Sequence, residues 1–153
     1  MSWTVVLAAF SAAALMAQFA DRKILTLDGA KKIAAAAEAE AKKNNWNVVI
    51  AVVDDAGHLL YLQRMDDVQI ASVEIAQLKA RSAALYRRPT KVFADRLAGG
   101  DSGVLRLPGA APFEGGVPVM AGGKVLGGIG VSGVLSQQDA QIARAGAAAV
   151  EAQ

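Results

Sequence analysis

The chain has no cysteine and a single histidine, His58, among its 153 residues. The absence of cysteine excludes disulfides, thiolate catalysis and cysteine-ligated metals, and a lone histidine excludes a zinc centre with several histidine ligands. No G-x-S-x-G segment is present, and the glycine-rich segments match neither the dinucleotide-binding spacing nor the P-loop spacing. The sequence therefore argues against a serine hydrolase, a multi-histidine zinc enzyme and a nucleotide-binding enzyme.

Clustered charge is also scarce. The formal net charge is +2 at pH 7 and the pI is near 9.0, but Lys and Arg are scattered along the chain and form few doublets. Because a nucleic-acid-binding domain usually carries a basic patch, we expect no nucleic-acid partner. Hydrophobic residues make up 54% of the sequence, which is enough for one domain with its own core.

The N-terminal segment lacks both charge and a basic start. Residues 3–20 contain no charged side chain, which suits the apolar region of a signal peptide. No basic residue precedes them, the sites ending at Ala17 and Ala20 are poor cleavage sites, and the many alanines make a poor membrane span. We expect an export-like segment or a packed N-terminal helix at 1–20, with a retained anchor as a third alternative, and one domain at 21–153. Cleavage would make the protein periplasmic or secreted, and an ordered helix would make it cytoplasmic; we expect no firm membrane association.

Hydrophobic periodicity predicts an antiparallel sheet flanked by helices, an α+β domain. Thr26 can cap an amphipathic helix that ends at Asn44-Asn45. The later elements, in chain order, are a hairpin over 48–65, a helix over 70–86, a short helix over 90–97, an irregular loop over 101–116, a second hairpin over 117–132 and a helix from Ser136. Glycines 127, 128 and 130 lie inside the last strand, which indicates a bulge or the close approach of another backbone or a ligand.

Two polar residues of the first hairpin can bind a ligand. His58 follows a turn, where its imidazole can act as a lone axial ligand of haem iron or can be an ordinary surface histidine. Arg64 can bind a carboxylate or propionate bidentately or can pair with Asp66 or Asp67. The sequence leaves both alternatives open.

A second group of candidates lies on the central helix and in the long loop. Glu74 and Lys79 lie on different faces of the helix, and Lys79 borders a face of small and apolar residues, where it can enter a cleft or extend to solvent. Glu114 precedes Gly115-Gly116, whose amides can join its carboxylate in acid–base chemistry or anion capture. The alternative is a solvated loop residue beside glycines that shape a turn.

Four motifs in order resemble the GlcG/HbpS family of haem-degrading-type domains. They are RMD at 64–66, S-x-E-x-A-x-x-K-A at 72–80, EGGVP at 114–118 and VSG-x-x-x-x-QD at 131–139. The resemblance extends from Leu25 to Gly146 without a large insertion. It marks as recurring family positions Arg64, Met65, Asp66, Glu74, Lys79, Glu114, Gly115, Gly116 and Pro118.

The resemblance implies a profilin-like or GlcG-like arrangement, with a five-stranded antiparallel sheet packed by helices and assembled into a homo-oligomer. It also implies haem as a ligand or cofactor, because exported members bind haem and are reported to degrade it. Other members accompany glycolate or aromatic catabolic operons and have no clear activity. Fold alone does not decide between these functions.

Our leading hypothesis is a haem-binding protein whose pocket lies between the 101–118 loop, the central helix and the first hairpin. His58 is the predicted iron ligand, and Arg64 or Lys79 the predicted propionate partner. The full predicted set of ligand-binding residues is His58, Arg64, Met65, Lys79, Phe113, Glu114, Gly115, Gly116 and Pro118. The alternatives are a small-molecule enzyme or accessory protein that uses Glu114 and Lys79 as catalytic acid and base without haem, and a purely structural oligomer.

Overall fold

The computed structural model of the protein describes residue 20 and residues 22–151. The predicted export-like segment therefore lies almost entirely outside the described residues, and export stays a prediction. The elements are α1 (Leu27–Lys43), β1 (Val49–Asp54), β2 (Leu59–Arg64), α2 (Ser72–Tyr86), α3 (Lys91–Ala98), a 3₁₀ helix (Ser102–Arg106), β3 (Gly116–Ala121), β4 (Lys124–Ser132) and α4 (Ser136–Glu151). Within this range, no helix combines the length and the apolar character that a bilayer span requires.

One antiparallel sheet organises these elements, in the order β2-β1-β4-β3. Its described residues form four strands, where the resemblance implied five. The segment before β3 contains Pro108 and Pro112 and folds into the 3₁₀ helix and turns, because prolines cannot donate to a strand ladder. Pro118 lies in the edge strand β3 and likewise offers no N–H to a further neighbour.

Both faces of the sheet are covered by helices. Helices α1 and α4 pack on one face against Ile50, Val52 and Ile129, and α2 packs on the other face against Val49, Ala51 and Val53. Strand β1 is therefore buried on both faces, which explains its uninterrupted run of apolar residues before Asp54.

Small residues bring α2 close to β4. A side chain at Gly128 or Gly130 would collide with backbone atoms of Ala80 or Ala76 in α2. Of the two predicted explanations for these strand glycines, the approach of another backbone is the one that the structure shows at these two positions.

The local signals predicted most helix ends to within a residue. The Thr26 hydroxyl accepts from the Gly29 N–H at 3.1 Å, as expected for the cap of α1. The short helix α3 is displaced by one residue from the prediction, and the 101–116 loop contains a 3₁₀ helix that was not predicted. Helix α4 begins at Ser136, as predicted. Just before it, the Val134 N–H donates to Asp139 Oδ1 and the Leu135 N–H donates to Gln138 Oε1.

Candidate functional site

A buried ion pair links side chains of the central helix α2 and the C-terminal helix α4, which lie on opposite faces of the sheet. Lys79 Nζ lies 2.8 Å from Asp139 Oδ2 and donates to the carbonyl of Val131 at 2.9 Å. Both charged side chains are only 3% exposed. The pair thus joins α2, β4 and α4, and Asp139 extends the contact to the loop before α4 by accepting from the Val134 N–H.

Burial perturbs both ionisable groups of this pair. Loss of hydration lowers the pKa of Lys79, while the nearby carboxylates of Asp139 and Glu114 act in the opposite direction. Loss of hydration likewise raises the pKa of Asp139, against the effect of the Lys79 ammonium. Each group therefore depends on the other to remain ionised inside the protein.

The adjoining loop is shaped around this lysine. Gly115 has φ +119°, and a Cβ there would lie 2.6 Å from Lys79 Nζ and 2.7 Å from the Val131 carbonyl oxygen. Gly116 and Thr90 exchange hydrogen bonds, with the Thr90 N–H donating to the Gly116 carbonyl at 3.0 Å and the Gly116 N–H donating to the Thr90 hydroxyl at 2.9 Å. Glycine is required at 115 by both conformation and space.

Phe113 and Glu114 lie beside the same ammonium. Lys79 Nζ lies 5.7 Å from the centre of the Phe113 ring, which is within cation–π distance. The Glu114 side chain is 14% exposed, with Oε1 3.5 Å from Lys91 Nζ. The use of Glu114 and Lys79 as acid and base stays a prediction; in the structure Asp139 and Val131 already accept hydrogen bonds from the lysine ammonium.

His58 lies in the turn between β1 and β2 and its side chain is 74% exposed. The Asp54 carboxylate organises this turn: Oδ1 accepts from the N–H groups of Ala56 and His58, and Oδ2 lies 3.3 Å from His58 Nδ1. Burial acts to raise the pKa of Asp54, but the hydrogen bonds from His58 and Ala56 outweigh it and bring the pKa below its ordinary value. An ionised Asp54 therefore favours a proton on Nδ1 and leaves Nε2 available as a ligand.

A basic cavity of about 530 Å³ adjoins the His58 turn. Its lining includes Asp55, three residues from His58, together with Arg22, Arg87 and Lys124. Arg22 is paired with Asp55 at 3.0 Å. The remaining cations make this cavity suitable for an anionic group.

The other predicted residues of the first hairpin lie at the far end of β2. Arg64 and Asp66 are exposed, and Met65 packs partly against the core. Arg64, Met65 and Asp66 line a shallow cavity of about 320 Å³. Within residues 22–151, no acidic oxygen lies within ion-pair distance of Arg64. On the outer surface of α2, Glu74 is exposed.

The structure separates the predicted site residues into groups. His58 precedes β2 at one edge of the sheet, whereas Glu114 precedes β3 at the other edge and at the opposite end. Three strand spacings across the sheet and about five residues along the strands place these two corners about 22 Å apart. Lys79, Phe113, Glu114, Gly115 and Gly116 come together, but His58 and Arg64 do not join them within one chain.

The sequence comparisons identify the family. A model of the HbpS-like family, described as haem-degrading protein HbpS-like, matches residues 25–148. The chain belongs to the HbpS-like family. Protein GlcG of Escherichia coli K12 is 48% identical over 109 residues, which cover 71% of this chain and 81% of GlcG.

Solved structures of HbpS and of PduOC share the fold. A double mutant of HbpS from Streptomyces reticuli is 38% identical, with a TM-score of 0.79 over 87% of this chain and 91% of HbpS. PduOC, solved as a haem complex, is 28% identical, with a TM-score of 0.77 over 84% of this chain and 96% of PduOC. The predicted family and α+β class are confirmed.

Asp139 is the residue of this site that sequence reasoning did not assign a role. In the sequence it stands out only as the last residue of the VSG-x-x-x-x-QD motif. Its partner, Lys79, is 60 residues away. The one available signal was a lysine within an otherwise small and apolar helix face, which calls for a buried counter-ion.

Proposed function

We propose that this HbpS-like protein binds haem through His58. The observation that carries the proposal is the contact of Asp54 with His58 Nδ1, which leaves Nε2 free and the imidazole exposed. Metal-binding histidines commonly donate their second ring N–H to a carboxylate in this way. The haem-degrading description of the family and the PduOC haem complex add support.

The residues around His58 fit haem chemically. His58 would ligate the iron, and Arg87 and Lys124 of the adjacent basic cavity would bind the propionates. Lys79 is less suited to this task because its ammonium is buried against Asp139, and Arg64 lies at the other end of β2. When bound, haem would supply the redox-active iron that reactions with oxygen or peroxide require.

Haemin titration of the purified protein tests the proposal. We expect a Soret band in the wild type that moves or fades in His58→Ala, because the variant loses the only imidazole in the chain. In His58→Gly, added imidazole should restore the wild-type band by replacing the missing ligand.

Arg64→Ala serves as the matched control, since Arg64 lies on the same hairpin but away from His58. Its Soret band should equal that of the wild type. An unchanged spectrum in His58→Ala would remove the histidine from the proposal, and the absence of any haem binding by the wild type would refute the proposal as a whole.

We further propose a homo-oligomer as the assembly. Ile70, Leu105 and Leu135 are 62–79% exposed, and burial of such side chains between subunits would be favourable. Light scattering of the purified protein at several concentrations measures the assembly, and a strictly monomeric mass would contradict the proposal.

A further inference from the structure

A further cavity, of about 230 Å³, lies at the corner of the sheet opposite His58. Its lining combines the apolar side chains of Pro89, Val117 and Ala140 with two basic residues, Lys91 and Arg144. The hydrogen bonds between Thr90 and Gly116 fix one wall, because these residues join the α2–α3 connection to the start of β3.

The two basic residues differ in what already neutralises them. Lys91 Nζ lies 2.6 Å from Asp95 and 3.5 Å from Glu114. Arg144 is exposed on α4, and no acidic oxygen in residues 22–151 lies within 4 Å of its guanidinium. Arg144 therefore offers an unoccupied planar fork of donors at the edge of an apolar cavity.

We propose that this cavity binds a small organic carboxylate with an apolar body. The carboxylate pairs with Arg144, and the body lies against Pro89, Val117 and Ala140. A guanidinium recognises a carboxylate through two parallel hydrogen bonds, and the apolar walls favour a hydrocarbon over an inorganic anion.

The size of the cavity limits the ligand. Its volume of about 230 Å³ is below the range of about 300–1,000 Å³ that is usual for the sites of drug-sized ligands. A carboxylate with a short chain or a single ring fits this space, whereas a haem does not. The site is thus separate from the proposed haem site and does not depend on it.

Benzoate is a suitable probe, and its binding can be monitored through the amide shifts in ¹H–¹⁵N NMR spectra. We expect saturable shifts at Gly115, Gly116 and Val117, and much weaker binding of benzyl alcohol and of inorganic phosphate. Arg144→Gln should weaken benzoate binding by about tenfold or more, because it removes a charged hydrogen-bond partner. Arg144→Lys keeps the charge but loses the planar fork of donors, so its benzoate affinity should lie between those of the wild type and Arg144→Gln.

Arg106→Gln is the matched control, since Arg106 is an exposed arginine of the 3₁₀ helix and does not line this cavity. It should bind benzoate like the wild type. His58→Ala should also retain benzoate binding, so failure of the haem proposal would leave this one intact. Equal binding of benzyl alcohol or phosphate, or an unchanged affinity in Arg144→Gln, would overturn the inference.

Discussion

The contact between Asp54 and His58 Nδ1 leaves Nε2 as the nitrogen that the proposed bond to haem iron would use. Asp54→Asn keeps an oxygen for the N–H groups of Ala56 and His58 but replaces the Oδ2 acceptor with an amide donor. That donor would bind Nδ1 and move the ring proton to Nε2. We expect haem affinity to fall by about 10- to 100-fold, the usual effect of losing such a supporting carboxylate.

The measurement is a haemin titration of Asp54→Asn beside Asp66→Asn. Asp66 is an exposed carboxylate beyond the other end of β2, so its substitution should leave the affinity unchanged. Equal affinity of Asp54→Asn and the wild type would show that the carboxylate does not prepare His58 for the iron.

The Asp54 carboxylate should also make the stability of the protein depend on pH in acid. The pKa of Asp54 is lower in the folded protein because the hydrogen bonds from His58 and Ala56 outweigh the effect of burial. Its contribution is therefore fully present above the unfolded-state pKa of about 3.9 and is lost as the pH falls through the folded value. The melting-temperature difference between wild type and Asp54→Asn should be largest near neutral pH and should shrink at pH 3. A constant difference would contradict this linkage.

At the residue scale, the exposure of His58 could be predicted from the sequence, but the ion-pair partner of Lys79 could not. The turn position of His58 predicted an exposed imidazole, because a residue that follows a tight turn seldom points inward. The partner of Lys79 could not be predicted, since any of 14 acidic residues could have been its counter-ion. Asp139 is selected only because α2 and α4 pack on opposite faces of the sheet and both side chains reach the same end of β4.

At the element scale, the contact between α2 and β4 depends on the absence of side chains on the strand. Gly130→Ala would place a Cβ against the Ala76 carbonyl and the Ala80 N–H of α2. Because both neighbours are backbone atoms, the helix would have to move away. We expect a loss of about 1–3 kcal/mol in the free energy of unfolding, measured by urea denaturation.

Gly99→Ala is the control for this prediction. Gly99 follows α3 with φ −77°, and a Cβ there would make only ordinary contact, 3.4 Å from the Asp95 carbonyl. Its stability should remain close to that of the wild type. If Gly130→Ala were equally stable, β4 would tolerate a wider separation from α2 than the structure indicates.

Element types and order were predictable because their causes are local. The β-branched run before Asp54, the glycine turns and the Thr26 cap each act within a few residues, and the structure has both hairpins and the four principal helices in the predicted order. The family resemblance implied five strands, whereas the described residues form four. The count of five came from the resemblance and not from these local patterns. The separation of His58 from Glu114 also escaped prediction, since it depends on strand order across the whole sheet.

At the scale of the whole molecule, the Lys79–Asp139 pair joins elements on opposite faces of the sheet. Lys79→Met should lower the free energy of unfolding by about 3–5 kcal/mol, because it leaves Asp139 buried without its cation. Asp139→Asn should also be destabilising, since it leaves the lysine ammonium buried without its anion. The double variant should lose much less than the sum of the two, because it contains neither buried charge.

Urea denaturation of the wild type, both single variants and the double variant gives this coupling energy. The matched control is Lys42→Met with Glu38→Gln, a pair one helical turn apart whose ions are 2.7 Å from each other, with Lys42 exposed and Glu38 half-buried. Water reaches that pair, so its coupling should be only about 0.3–0.5 kcal/mol, as is usual for such pairs on a helix. Additive effects at Lys79 and Asp139 would mean that water reaches the pair and that Asp139 is not what holds α2 to α4.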